Sequence, residues 1–196
     1  LTNSCSDVFS PHLHMLKIHL FAVLLLSAAP LAANAADGTI TFKGKVTDVT
    51  CQITTPAGKD FTVNLPTVSK ASLATVGATN GRTQFAINLS KCGTNSNVAT
   101  YFEPGSTVDF ATGRLLNQTP TSANGAGNVQ VQLLGSNFDV LPIKAASSGL
   151  AQTNSQWVNT GTAGTADLNY YAEYYATGAA SAGEVSTSVK YTIIYN

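Results

Sequence analysis

The sequence predicts an all-β sandwich on three observations. Residues 183–196 (G-E-V-S-T-S-V-K-Y-T-I-I-Y-N) alternate in polarity with a period of two. Shorter runs with the same alternation, or rich in β-branched and aromatic residues, recur along the chain, and Gly, Asn, Ser, Thr and Pro fill the gaps between them. Hardly any helix is indicated, residues 71–76 alone reading as a single turn. Short strands punctuated by turn residues are the pattern of a β-sandwich, with an immunoglobulin-like arrangement the leading expectation.

Met15 is the only methionine, and it is followed by a short basic region with Lys17 and His19, the apolar run 20–26 and then Ala33-Asn34-Ala35. This is the layout of a secretory signal peptide over residues 15–35, with cleavage expected between Ala35 and Ala36. The apolar run is too short to span a bilayer. Residues 1–14 read as upstream, non-native sequence. All three histidines, His12, His14 and His19, lie before the cut, so none is expected in the exported chain. Acidic and basic side chains, ten of each over the whole sequence, cancel. That argues against nucleic acid or an acidic membrane surface held by bulk charge.

Cys51 and Cys92 remain after the cut, and in an oxidising compartment they are expected to form one disulfide. Closing a loop of that size stabilises the fold by about 4 kcal/mol in the chain-entropy model. A redox or metal role would need C-x-x-C spacing or histidine partners, and neither is present. No cofactor is therefore expected.

In chain order, strands are expected at residues 61–65 (F-T-V-N-L), 85–89 (F-A-I-N-L), 98–102, 129–133 (V-Q-V-Q-L) and 170–175. Asn80-Gly81 and Asn124-Gly125 are turn dipeptides, and Thr119-Pro120 and Leu141-Pro142 are breakers. In the C-terminal strand, Val185, Thr187, Val189, Tyr191, Ile193 and Tyr195 share one face, and Ser186, Ser188, Lys190, Thr192 and Ile194 the other. Chain ends fray unless tied down, so this strand is expected to be paired on both edges. A second amphipathic strand lies at the other end, in residues 37–51 (D-G-T-I-T-F-K-G-K-V-T-D-V-T-C). There Ile40, Phe42, Gly44 and Val46 share one face, and Thr41, Lys43, Lys45 and Thr47 the other. A mid-strand glycine is unfavourable unless something approaches closely. Gly44 thus points to a docking strand with one tight spot, against the plainer reading of an ordinary first strand.

The run G-T-I-T-F-K-G-K-V-T-D-V-T-C at residues 38–51, the second cysteine in N-L-S-K-C, Y-Y-A-T-G-A-A-S-A-G at residues 174–183, and an alternating C-terminal strand with a penultimate Tyr195 resemble the major subunit of type 1 fimbriae, a chaperone-usher pilin. Gly183 stands where that family's terminal motif places its glycine. The resemblance implies an incomplete immunoglobulin-like sandwich, residues 51–196, that lacks its final strand and is completed by a donor strand. Residues 36–50 would be the donor extension, with Ile40, Phe42, Gly44 and Val46 as its inserted face. Gly183, Val185, Val189, Tyr191, Ile193 and Tyr195 would belong to the acceptor groove and C-terminal strand. The implied partners are identical or homologous pilin subunits, a periplasmic chaperone, an outer-membrane usher and a tip adaptor or adhesin. The implied location is a cell-surface fimbria that supports adhesion.

Two other classes compete. A hydrolase needs a nucleophile with a base, a metal or paired carboxylates. Without histidine, histidine-based triads and histidine-ligated metals are excluded, and the scattered acidic residues offer only a fortuitous glycosidase pair. The chain is read as a non-enzyme. A secreted β-sandwich carbohydrate-binding module would use the lone Trp157 with Tyr170, Tyr171, Tyr174 and Tyr175. The plainer reading of those aromatics is core and sheet packing. A minor or adaptor pilin would share both chain ends with a major one.

Overall fold

The computed structural model describes residues 38–44, 46, 50–145 and 151–196. The expected signal peptide and the residues ahead of it lie outside the described residues. The chain divides into two units after Lys45. In the first, the described residues carry neither helix nor strand.

The second unit holds the strands β1 (Gln52–Ile53), β2 (Thr79–Ser90), β3 (Asn97–Glu103), β4 (Val108–Asp109), β5 (Arg114–Leu116), β6 (Val129–Gly135), β7 (Val140–Leu141), β8 (Val158–Asn159), β9 (Ala166–Ala176) and β10 (Lys190–Tyr195). Among the described residues they form two antiparallel sheets. The larger runs β1-β2-β9-β6-β5-β4, with β7 also on β6, and the smaller runs β10-β3-β8. Between them lies a core of Ile87 and Leu89 from β2, Val131 and Leu133 from β6, Leu168 and Tyr170 from β9, and Val98 and Phe102 from β3. Tyr170 meets Phe102 edge to face at 5.2 Å between ring centroids, which locks the two sheets together. Cys51 and Cys92 are bonded across a separation of 41 residues, so β1 is stapled to the end of β2.

Four of the expected strands form, with longer bounds, because each sits mid-sheet with a neighbour on both sides. The run 85–89 is the second half of β2. The Asn80-Gly81 dipeptide, expected as a turn, instead makes a bulge within β2, where the register against β9 shifts. Gly81 adopts φ +72 there, and Asn80 Oδ1 accepts its N–H at 2.7 Å. The expected helical turn is a shorter 3-10 turn, Lys70–Leu73, capped by Ser69 Oγ, which accepts from the Ala71 N–H at 3.3 Å. Residues 61–65 keep the alternation, with Phe61, Val63 and Leu65 half-buried and Thr62 and Asn64 exposed, but they join no ladder.

The outer face of β6 departs from simple alternation. Gln130 and Gln132 point away from the core and are nevertheless buried, because a polar layer covers them. Gln132 Nε2 donates to Glu173 Oε1 at 2.6 Å, Arg82 Nε donates to Glu173 Oε2 at 2.8 Å, and Gln130 Nε2 donates to Asp109 Oδ2 at 3.1 Å. The hydrogen bond from Gln130, with those from Thr112 and Ala111, holds the Asp109 carboxyl below its ordinary range.

Candidate functional site

The smaller sheet has two edges, and the chain treats them differently. On the far edge of β3, β8 pairs at Asn97 and Val98, and Ser155 Oγ donates to Thr100 O at 3.2 Å. Further along, the Gln152 side chain stands in for a strand: its Oε1 accepts from Phe102 N–H at 2.9 Å and its Nε2 donates to Phe102 O at 2.7 Å. The β10 edge has no such cover among the described residues.

Upstream of β10 the chain stays extended without a ladder. Val185, Thr187 and Val189 are half-buried, and Ser186, Ser188 and Lys190 are exposed, which is the alternation read from the sequence. The expected long strand is therefore only partly paired. One side of this segment is tethered: Ser186 O accepts from Gln118 N–H at 2.7 Å, Ser186 N–H donates to Asn117 Oδ1 at 3.0 Å, and Thr107 Oγ1 donates to Ser188 O at 2.7 Å. The backbone N–H and C=O groups of Val185, Thr187 and Val189 make no hydrogen bond among the described residues, and neither do those of residues 61–65. Unpaired main-chain groups of this kind need a partner, from water or from another strand.

These two unpaired segments are the lips of one groove. It has a volume of about 1070 Å³, its lips are residues 59–68 and 183–191, and its floor includes Phe85, Ile87, Val131 and Leu133 from the core. At the 183 end the lip is held by close backbone packing. A Cβ on Gly183 would lie 2.5 Å from Ala126 N and 2.6 Å from Asn124 O. At the other end Tyr191 Oη donates to Lys59 O at 2.7 Å, joining lip to lip. Burial, and then the nearby Asp60 charge, raise the Tyr191 phenol above its ordinary value.

Of the residues expected to form the acceptor side, Gly183, Val185, Val189 and Tyr191 line the groove. Ile193 and Tyr195 share the strand face but pack against the core beyond the joined end. Tyr195 Oη instead accepts the backbone N–H of Cys51 at 2.9 Å, a contact no sequence pattern announces. The expected donor residues are in no strand, and Ile40, Phe42 and Val46 are 80%, 88% and 99% exposed. An isolated strand without a ladder partner has little stability of its own. The lip at residues 59–68 was missed as a site, although the alternation F-T-V-N-L was its signal.

Three of the tyrosines in the expected aromatic cluster are covered among the described residues. Tyr170 is fully buried, Tyr171 lies against Phe138 at 4.8 Å, and Arg114 covers the Tyr175 ring at 3.5 Å. Each would have to be uncovered before a ring face could stack on a ligand.

The sequence profile described as type-1 fimbrial protein, A matches residues 65–196. The chain belongs to this fimbrial family. It is 77% identical over 172 residues to the major fimbrial subunit SMF-1 of Stenotrophomonas maltophilia, covering 88% of this chain and 100% of that protein. It is 45% identical over 188 residues to the F17 fimbrial protein of Escherichia coli, covering 92% and 99%. A solved chaperone-usher pilus subunit, studied for rod uncoiling, shares the fold with a TM-score of 0.53 at 20% identity, over 82% of this chain and 96% of that one. The fimbrial chain is thus a structural subunit with an immunoglobulin-like pilin sandwich, in a family not known for enzymatic chemistry.

Proposed function

We propose that this fimbrial subunit polymerises head to tail by donor-strand exchange: residues 36–50 of one copy fill the groove of the next. The observation that carries the reading is the pair of unpaired lips flanking an apolar groove, beside an exposed run in which Ile40, Phe42 and Val46 span the same seven positions as Val185 to Tyr191. Strand addition supplies main-chain hydrogen bonds to both lips and seats alternate side chains. Burying Ile40, Phe42 and Val46 contributes about 1.5–3 kcal/mol each before ordering costs are subtracted.

The position of Cys51 supports an antiparallel insertion. Its N–H is held by Tyr195, so the residue from which the proposed extension departs sits at the Tyr195 end of β10. A strand inserted parallel to β10 would bring its subunit to that same end and crowd the departing extension. An antiparallel strand brings it to the Gly183 end, and the contact repeats without closing, as an open filament requires. Before assembly, a periplasmic chaperone would cover the open edge and an outer-membrane usher would exchange it, with export to a surface fimbria that carries a tip adaptor or adhesin. An uncovered apolar groove beside an open edge is otherwise an aggregation hazard.

Unboiled and boiled samples run on a detergent gel, with electron microscopy of the same preparation, test the reading. Detergent-resistant ladders and fibres are expected, and Phe42→Asp should abolish them while leaving the subunit soluble with its chaperone. Normal fibres from a strain carrying only Phe42→Asp would overturn it.

A further inference from the structure

We propose that Tyr191 is the stop that fixes the register of the inserted strand. The inference rests on the antiparallel donor-strand reading above. Tyr191 is anchored twice: its backbone sits in the ladder opposite Phe102, and its hydroxyl is bonded to the Lys59 carbonyl on the opposite lip. Past this bar the same strand face continues as Ile193 and Tyr195, already packed on the core. The groove is therefore barred by a side chain at its Tyr191 end, whereas at the Gly183 end no side-chain hydrogen bond joins the lips among the described residues and the crossing lies further out, from Ala180 N–H to Leu73 O at 3.0 Å.

An antiparallel strand leads with its N-terminal side toward Tyr191. Halted at the bar, it sets Ile40 opposite Tyr191, Phe42 opposite Val189, Gly44 opposite Thr187 and Val46 opposite Val185. The glycine then falls on the one polar position of the acceptor face, where Thr187 Oγ1 is buried without a partner, so no apolar side chain presses on that hydroxyl. Two residues further in, Ile40 passes the bar and Lys43 stands directly opposite Lys190, a like-charge pair. Two residues short, Phe42 lands on Thr187, and Val46 falls opposite Gly183, where the backbone of residues 124–126 closes in. A one-residue slip turns the whole apolar face outward.

Fibres of the full chain can report the register through engineered thiols on the solvent face. Lys43→Cys with Ser188→Cys faces two thiols across neighbouring subunits in the halted register, and Lys43→Cys with Lys190→Cys does so in the advanced one. With Tyr191 in place, the first pair should give a covalent ladder on a boiled, non-reducing gel and the second almost none. In Tyr191→Ala fibres the yield from the second pair should rise about fivefold or more, the change expected for one hydrogen bond's share of the preference. Tyr191→Phe, which keeps the ring and loses only the bond to Lys59, should rise about fivefold, and it decides the matter alone if Tyr191→Ala does not assemble. An unchanged register in the Tyr191 variants, or a ladder from the second pair with Tyr191 present, overturns the stop. A ladder from neither pair with Tyr191 present overturns the antiparallel donor reading beneath it.

Discussion

Gly183→Ala should destabilise the subunit by more than an exposed-glycine change can. A Cβ there would sit 2.5 Å from Ala126 N, 2.5 Å from Gly125 C and 2.6 Å from Asn124 O. All three are backbone atoms, so none can rotate away as a side chain would. Residues 183–184 and the turn at 124–126 would have to separate, and two hydrogen bonds close that junction: Glu184 N–H to Asn124 O at 2.7 Å and Ala126 N–H to Glu184 O at 2.9 Å. Each contributes about 1 kcal/mol, and forced overpacking costs about 1–3 kcal/mol, so with one or both bonds strained the loss should be about 2–4 kcal/mol. Urea unfolding of the groove-filled subunit measures it as a lower midpoint at unchanged slope. Gly105→Ala is the control, since a Cβ there meets nothing closer than Glu103 O at 4.0 Å. If Gly183→Ala is as mild as Gly105→Ala, the wedge account is wrong.

Replacing Cys51 and Cys92 with serine should cost about 4 kcal/mol, read as a lowered thermal midpoint against the oxidised chain. Glu173→Ala removes the shared acceptor of Arg82 and Gln132. Because Arg82 is 43% exposed and can rehydrate, the cost should be about 1–3 kcal/mol by denaturant unfolding rather than that of a fully buried pair. Burial pushes the Tyr170 phenol above its ordinary value of 10.0, so the folded chain holds that proton more tightly than the unfolded one. Its contribution is complete below the unfolded value and is lost as pH rises through the raised folded value. Unfolding midpoints should therefore fall more steeply above about pH 10 in the parent than in Tyr170→Phe.

Much of the site was legible because period-two patterning is local. The half-buried, exposed alternation of residues 185–191 is the one written in V-S-T-S-V-K-Y, and it persists where no ladder forms, since burial on the groove floor depends on side chains rather than on pairing. The disulfide followed from cysteine count and compartment. What stayed hidden depends on distant backbone. Gly183 is needed because of residues 124–126, Tyr195 matters through Cys51, and Gln152 imitates a strand with a side chain, so none of these leaves a local signature. β4, β5, β7 and β8 are two or three residues long, too short for any period to register. Asn80-Gly81 read as a turn because its chemistry is that of a turn. Pairing with β9 on both sides of the dipeptide turned it into a bulge instead.

The staple between Cys51 and Cys92 has a mechanical consequence. Tension applied to the chain ahead of residue 51 would, without it, act first on the two-residue ladder of β1 against β2, which can be peeled one rung at a time. The disulfide carries that pull into the end of β2, and β2 lies along nearly the whole of β9. The pull then bears on the many rungs of β2 against β9, and the two-residue ladder of β1 is removed from the line of force.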